Sequence, residues 1–156
     1  QSRFMTQTRG TGVMNRTFHS YGPFKPGITG RINGALISMK AGPAIAFAIF
    51  NLQERGEIFI EHNTEVYQGM ICGEHSREND LEVNFLKGKK LTNMRASGSD
   101  ENVVLTPPRQ MSLEEKMAYI NDDEVLEVTP KHLRLRKKYL DHHERKRISK
   151  NNFQNV

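Results

Sequence analysis

Lys87, Lys89, Lys90 and Arg95 crowd into one short stretch, and no acidic residue occurs from residue 83 to residue 99. The chemistry open to such a cluster is pairing with phosphate oxygens, because no neighbouring carboxylate competes for the cations. Asn93, Ser97 and the amides near Gly98 add the neutral donors that position a protein on RNA. A second basic set is Arg134, Arg136, Lys137 and Lys138, where Leu133 and Leu135 alternate with Arg134 and Arg136. Arg31 and Arg77, in polar turns, are secondary candidates for the same role. Taken as residues alone, the first stretch is equally a solvated loop, and the second is equally a sheet face covered by long basic side chains.

Other chemistries fit less well. A phosphate-binding loop ending at Gly88-Lys89 needs glycine five residues before Gly88 and Ser or Thr after the lysine, but Val83 and Lys90 occupy those positions. Thr8-Arg-Gly-Thr-Gly12 also lacks the following lysine. Cys72 and His75, with His62 upstream, suggest a metal or a thiol nucleophile, yet structural zinc wants four ligands at paired spacings. Cys72 at the end of an apolar strand is expected to be a small buried residue. His142-His143 reads as surface, and Asp122-Asp123-Glu124 as a turn at a helix end. No catalytic residue, metal site or cofactor is expected in this stretch.

The whole chain sets the bounds. Its 156 residues are 36% hydrophobic, enough for one ordinary core. With one cysteine there is no internal disulfide, the first residues lack a signal-peptide core, and the longest apolar run, residues 44–50, is too short to cross a bilayer. A cytoplasmic setting away from membranes is expected. The net charge of +5 is unevenly placed: residues 1–53 hold six bases and no acid, residues 54–82 eight acids and two bases, and residues 129–150 nine bases and two acids. Segregation of this kind predicts separate basic patches.

The elements that must position these patches read as α+β, an antiparallel sheet with two or three helices. Residues 2–9 followed by Gly10 look like the last turns of a helix that begins upstream. Residues 12–21 read as a strand, and the Gly- and Pro-rich residues 22–27 as a domain boundary. Strands are expected at residues 34–39, 57–60, 65–72 and 103–105. A buried helix is expected at residues 44–55, with Pro43 in its first turn. Residues 86–101 lose all periodicity and form a long loop. Ser112-Leu-Glu-Glu115 is a capping box opening a helix to about residue 121, with Leu113, Met117 and Ile120 on one face. Residues 125–128 and 133–137 pair as a hairpin, Asp141 and Glu144 cap a basic helix, and residues 151–156 are a fraying tail.

Four strings then carry a specific resemblance: Thr8-Arg-Gly-Thr-Gly-Val-Met-Asn15, Asn51-Leu-Gln-Glu-Arg-Gly56, Gly73-Glu-His-Ser-Arg-Glu-Asn-Asp-Leu81 and Gly88-Lys-Lys-Leu-Thr-Asn-Met-Arg-Ala-Ser-Gly98. With Val104-Leu-Thr-Pro-Pro108 and Leu133-Arg-Leu-Arg-Lys137 in the same order, the chain resembles the C-terminal region of the TypA/BipA family of translational GTPases. The resemblance implies that residues 1–27 close an elongation-factor-G-like fifth domain and that residues 28–150 are the family's own C-terminal domain. It implies binding to the ribosome, with residues 86–100 reaching towards ribosomal RNA and the acceptor end of the A-site transfer RNA. GTP and Mg2+ would belong to a G domain upstream. The alternative reading is a protein-interaction module that regulates the GTPase by packing against its upstream domains.

Overall fold

The computed structural model describes the chain except residues 1–3, 5–7, 24–30, 89–103 and 155–156, and the side chains of residues 149 and 151–154. In chain order the elements are β1 (Ala35–Ser38), β2 (Gly42–Pro43), α1 (Ala46–Gln53), β3 (Gly56–Ile58), β4 (Glu65–Val66), β5 (Met70–His75), β6 (Leu81–Val83), α2 (Leu113–Tyr119), β7 (Glu124–Val128), β8 (Leu133–Lys137) and α3 (His142–Gln154). The main sheet runs β6-β1-β5-β8-β7, with β3 also on β5. Every pairing in it is antiparallel except β1 with β6. The α+β architecture expected from the sequence is therefore the one observed.

Strand β1, Ala-Leu-Ile-Ser, is buried at all four positions because it lies inside the sheet with both faces covered. Its side chains alternate between two cores. Leu36 joins Ile49 and Leu52 of α1 with Met70, Cys72, Val83 and Phe85. Ala35 and Ile37 join Ile71, Leu135, Met111 and Tyr119 of α2. One helix thus seals each face, and the edge strands β6 and β7 carry the segments that lead to the basic patches.

Several elements depart from the sequence reading. Helix α1 starts at Ala46 after an extended Ile45, and Pro43 belongs to β2, paired with β4, rather than to the helix. The strand expected over residues 65–72 is broken at Gly69, whose φ of 84° suits a residue without a side chain and whose added Cβ would lie 2.8 Å from Leu140 Cα. Strand β6 was hidden in an acidic stretch; it pairs in parallel with β1 and needs that partner to form. Residues 104 and 105 are not a strand: the segment runs beside β3 with Arg109 N donating to Ile58 O at 2.9 Å, and Pro107-Pro108 offers no ladder donors.

Residues 12–21 likewise form no strand, because no described strand pairs with them and Val13, Phe18 and Tyr21 are exposed. The helix expected over residues 2–9 lies mostly outside the described residues. Phe4 is helical, Thr8 N donates to Phe4 O at 2.9 Å, and Arg9 and Gly10 both take positive φ, closing the turn as a helix C-terminus does. The loop expected at residues 86–101 is described only to Gly88. At the far end, α3 continues to Gln154 where a tail was expected from residue 151.

Candidate nucleic-acid interface

The β7–β8 hairpin places the second basic set. Leu133, Leu135 and Lys137 point to one face of β8, while Arg134 and Arg136 point to the other. Opposite Arg134 in the register stands Glu127. Its carboxylate lies 3.3 Å from Arg134 Nη1 and 3.9 Å from Arg136 Nε, and it accepts a hydrogen bond from Tyr67 Oη at 2.7 Å. The Tyr67 hydroxyl, followed by Arg134 and Arg136, holds the Glu127 carboxyl below the usual carboxylate range. Two guanidiniums thus share one carboxylate, leaving a net positive, partly exposed surface whose side chains are already oriented. Lys138, at the strand's end, is exposed, with Nζ 6.0 Å from the Tyr139 ring centre.

Lys137 is a correction. Although it sits among basic neighbours, its side chain is on the core side and 2% exposed. Its ammonium lies 2.6 Å from Asp80, 2.8 Å from Asp123 and 2.9 Å from Glu124. Burial pulls that ammonium's pKa down, but hydrogen bonds to Asp123 and Asp80 and the charge of Glu124 outweigh it, and the net shift is upward. Arg31 is a second correction: its guanidinium meets both oxygens of Glu124, at 3.0 and 2.7 Å, and lies 4.4 Å from the Tyr119 ring centre. Neither cation is free to meet a phosphate. Both serve an internal network centred on Glu124, the buried carboxylate that the sequence presented only as part of an acidic turn. The signal for Lys137 was available, since it shares the period-2 face of Leu133 and Leu135.

The first basic set begins at a clamped root. Phe85 is fully buried and its carbonyl accepts from Ile45 N at 2.9 Å, while Asn84 Oδ1 accepts from Leu86 N at 2.9 Å. Two residues beyond Phe85, Lys87 is exposed. It borders a cleft of about 580 Å³ between α1 and β6, lined also by Phe47, Asn51, Arg55 and Asn84. Lys89, Lys90, Asn93, Arg95 and Ser97 lie outside the described residues. Arg77 is exposed in the turn between β5 and β6.

The remaining candidates resolve simply. Cys72 is buried and unbridged, and burial pushes its thiol well above the ordinary range. His75 is buried with Nδ1 2.6 Å from Asn79 O, and His62 is exposed. Asp122 and Asp123 do form a turn. His142, expected at the surface, is half-buried and meets Glu82 of β6, as does Arg145. Among the described residues no group of three or more His, Cys, Asp or Glu side chains is placed to hold a metal ion, and no helix is long and apolar enough to cross a membrane.

Comparison with known proteins fits this geometry. The sequence model of the TypA/BipA C-terminal domain matches residues 33–142, which span every strand of the main sheet. The chain is similar to the large ribosomal subunit assembly factor BipA of Salmonella typhimurium, 54% identical over 151 residues, covering 96% of this chain and 25% of that protein. The factor of the same name in Escherichia coli K12 gives the same figures. That of Buchnera aphidicola subsp. Baizongia pistaciae is 53% identical over 152 residues, covering 97% and 25%. The chain thus spans about a quarter of the length of the curated relatives it matches.

Proposed function

This chain belongs to the TypA/BipA family, and from that membership we propose that it is the ribosome- and RNA-binding C-terminal region of a translational GTPase. In this reading it contacts ribosomal RNA and the acceptor end of the A-site transfer RNA through its basic loops, in the cytoplasm. GTP and Mg2+ are handled by a G domain upstream, and calorimetry of the region with GTP is expected to show no micromolar binding. The relatives' name, assembly factor of the large ribosomal subunit, supports a ribosomal partner. The observation that carries the reading is the clamped root: Phe85 is fully buried and Lys87 exposed, so the fold fixes where the acid-free basic stretch leaves the sheet edge.

The test replaces Lys87, Lys89, Lys90 and Arg95 with alanine in the full-length protein and measures ribosome affinity against salt. Each lost phosphate contact should make the slope of log affinity against log salt shallower by roughly 0.7 to 0.9, about two to three units in all when three of the four side chains meet phosphate. A control changes Arg134, Arg136 and Lys138, leaving out Lys137 because its charge is internal. A loss per charge removed that is larger in the loop variant supports loop-specific contact. An equal loss per charge indicates general attraction, and an unchanged slope in the loop variant overturns the assignment.

A second reading, packing against another domain, is favoured for residues 11–23 by the exposure of Val13, Phe18 and Tyr21. Serine at those three positions should then loosen interdomain contacts without altering the salt slope. Unchanged hydrogen exchange across the full-length protein would count against it.

A further inference from the structure

Helix α3 has two sides of different character. His142 and Arg145 both reach Glu82 of β6, and Arg145 Nη1 donates to the carbonyls of Tyr139 and Leu140 at 2.7 Å each. Asp141 Oδ1 caps the start by accepting from His143 N at 2.8 Å. These contacts fix the roll of the helix about its axis, so its outward face is also fixed. On that face His143, Lys146, Arg147 and Lys150 fall at i, i+3, i+4 and i+7, and all four are exposed. Among the described residues none of Lys146, Arg147 and Lys150 has an acidic partner, in contrast to Arg31, Lys137, Arg134 and Arg145.

We infer that this stripe of α3 is a further RNA-phosphate contact surface, held by Glu82 on the strand that leads towards Lys87. The inference rests on the RNA-binding reading and extends it to residues outside both basic sets. The residue chemistry selects the partner. Three flexible cations along one face, spread over about 6 Å at 1.5 Å per residue, match a polyanion's backbone, and His143 is the one ring beside them. The opposite side of the helix, with His142, Arg145 and Ile148, is not the apolar face that a membrane-surface helix buries in lipid. Position supports the same partner: Glu82 lies on β6, five residues before Lys87, so α3 and the loop root share one sheet edge.

The experiment compares the full-length protein with a Lys146→Ala, Arg147→Ala, Lys150→Ala variant and with the loop variant, on purified ribosomes and on vesicles of anionic phospholipid. Alanine is the strongest helix former, so α3 should persist, and circular dichroism checks it. A parallel glutamine triple variant gives an independent reading should the alanine protein misfold. The expected result is ribosome affinity weakened roughly tenfold or more, with a salt slope shallower by about two units. Lys146→Arg with Lys150→Arg should retain binding. If the helix variants keep the parent affinity and slope while the loop variant weakens, the helix inference is overturned and the loop reading stands. If the parent binds no ribosomes, both fall, and a loss confined to the vesicles also overturns the inference.

Discussion

Glu124 holds two buried cations at once, Arg31 and Lys137, while Glu127, three residues on, holds two partly exposed ones. The pair is a direct comparison of burial. Glu124→Ala removes the buried carboxylate that both cations share, leaving Lys137 to Asp80 and Asp123 and Arg31 with only Asp80 at 3.9 Å, and should destabilise the fold by about 3 to 5 kcal/mol, measured by urea unfolding. Glu127→Ala should cost under about 1 kcal/mol, because water screens the arginines it releases, and it should strengthen rather than weaken binding to RNA. Cys72 offers a second check. Its thiol is raised by burial from an ordinary value of 9.0, so above about pH 9 the unfolded chain has lost a proton that the folded chain keeps. Stability should therefore fall as pH rises beyond that point. Alkylation of Cys72 should follow global unfolding, and fast labelling of the folded protein would contradict its placement.

At the scale of elements, α2 shows how a short helix is held. Ser112 Oγ accepts from Glu115 N at 3.2 Å and Glu115 Oε2 accepts from Ser112 N at 2.8 Å, so the predicted capping box is present in full. Of the apolar face its spacing suggested, only Ile120 packs against the core. Leu113 and Met117 are exposed, while Tyr119 is buried beneath Arg31. With so little apolar anchoring at its first turn, the helix depends on its cap. Ser112→Ala should lower stability by about 1 kcal/mol and speed hydrogen exchange in α2 ahead of the sheet. Equal exchange in the variant and the parent would contradict that dependence.

For the molecule as a whole, the sheet is covered on both faces and its edge strand β6 supports both the root of the basic stretch and α3. Phe85 ties these together, since it is fully buried in the core under α1 and stands two residues before Lys87. Phe85→Ala should cost about 3 to 5 kcal/mol through the cavity it leaves. It should also weaken ribosome binding at temperatures where the fold persists, because the root would no longer be fixed. Loss of stability with unchanged affinity would separate the two roles and count against the clamped root.

The sequence by itself determined the elements whose signals are local. The β7–β8 hairpin, the Ser112 cap, the buried Cys72 and the strand Ala35–Ser38 all follow from residue type and period, and the collinear strings marked the family. Tertiary structure decided what depends on distant partners. Strand β6 exists because β1 pairs with it, and residues 12–21, despite Val13, Thr17, Phe18 and Tyr21, remain irregular where no described strand meets them. The same reason divides the cations. Charge is a property of the residue, but availability is a property of its surroundings: Lys137 and Arg31 are turned inward onto Glu124, while Lys146 and Arg147 are turned out by the anchoring of α3 to Glu82.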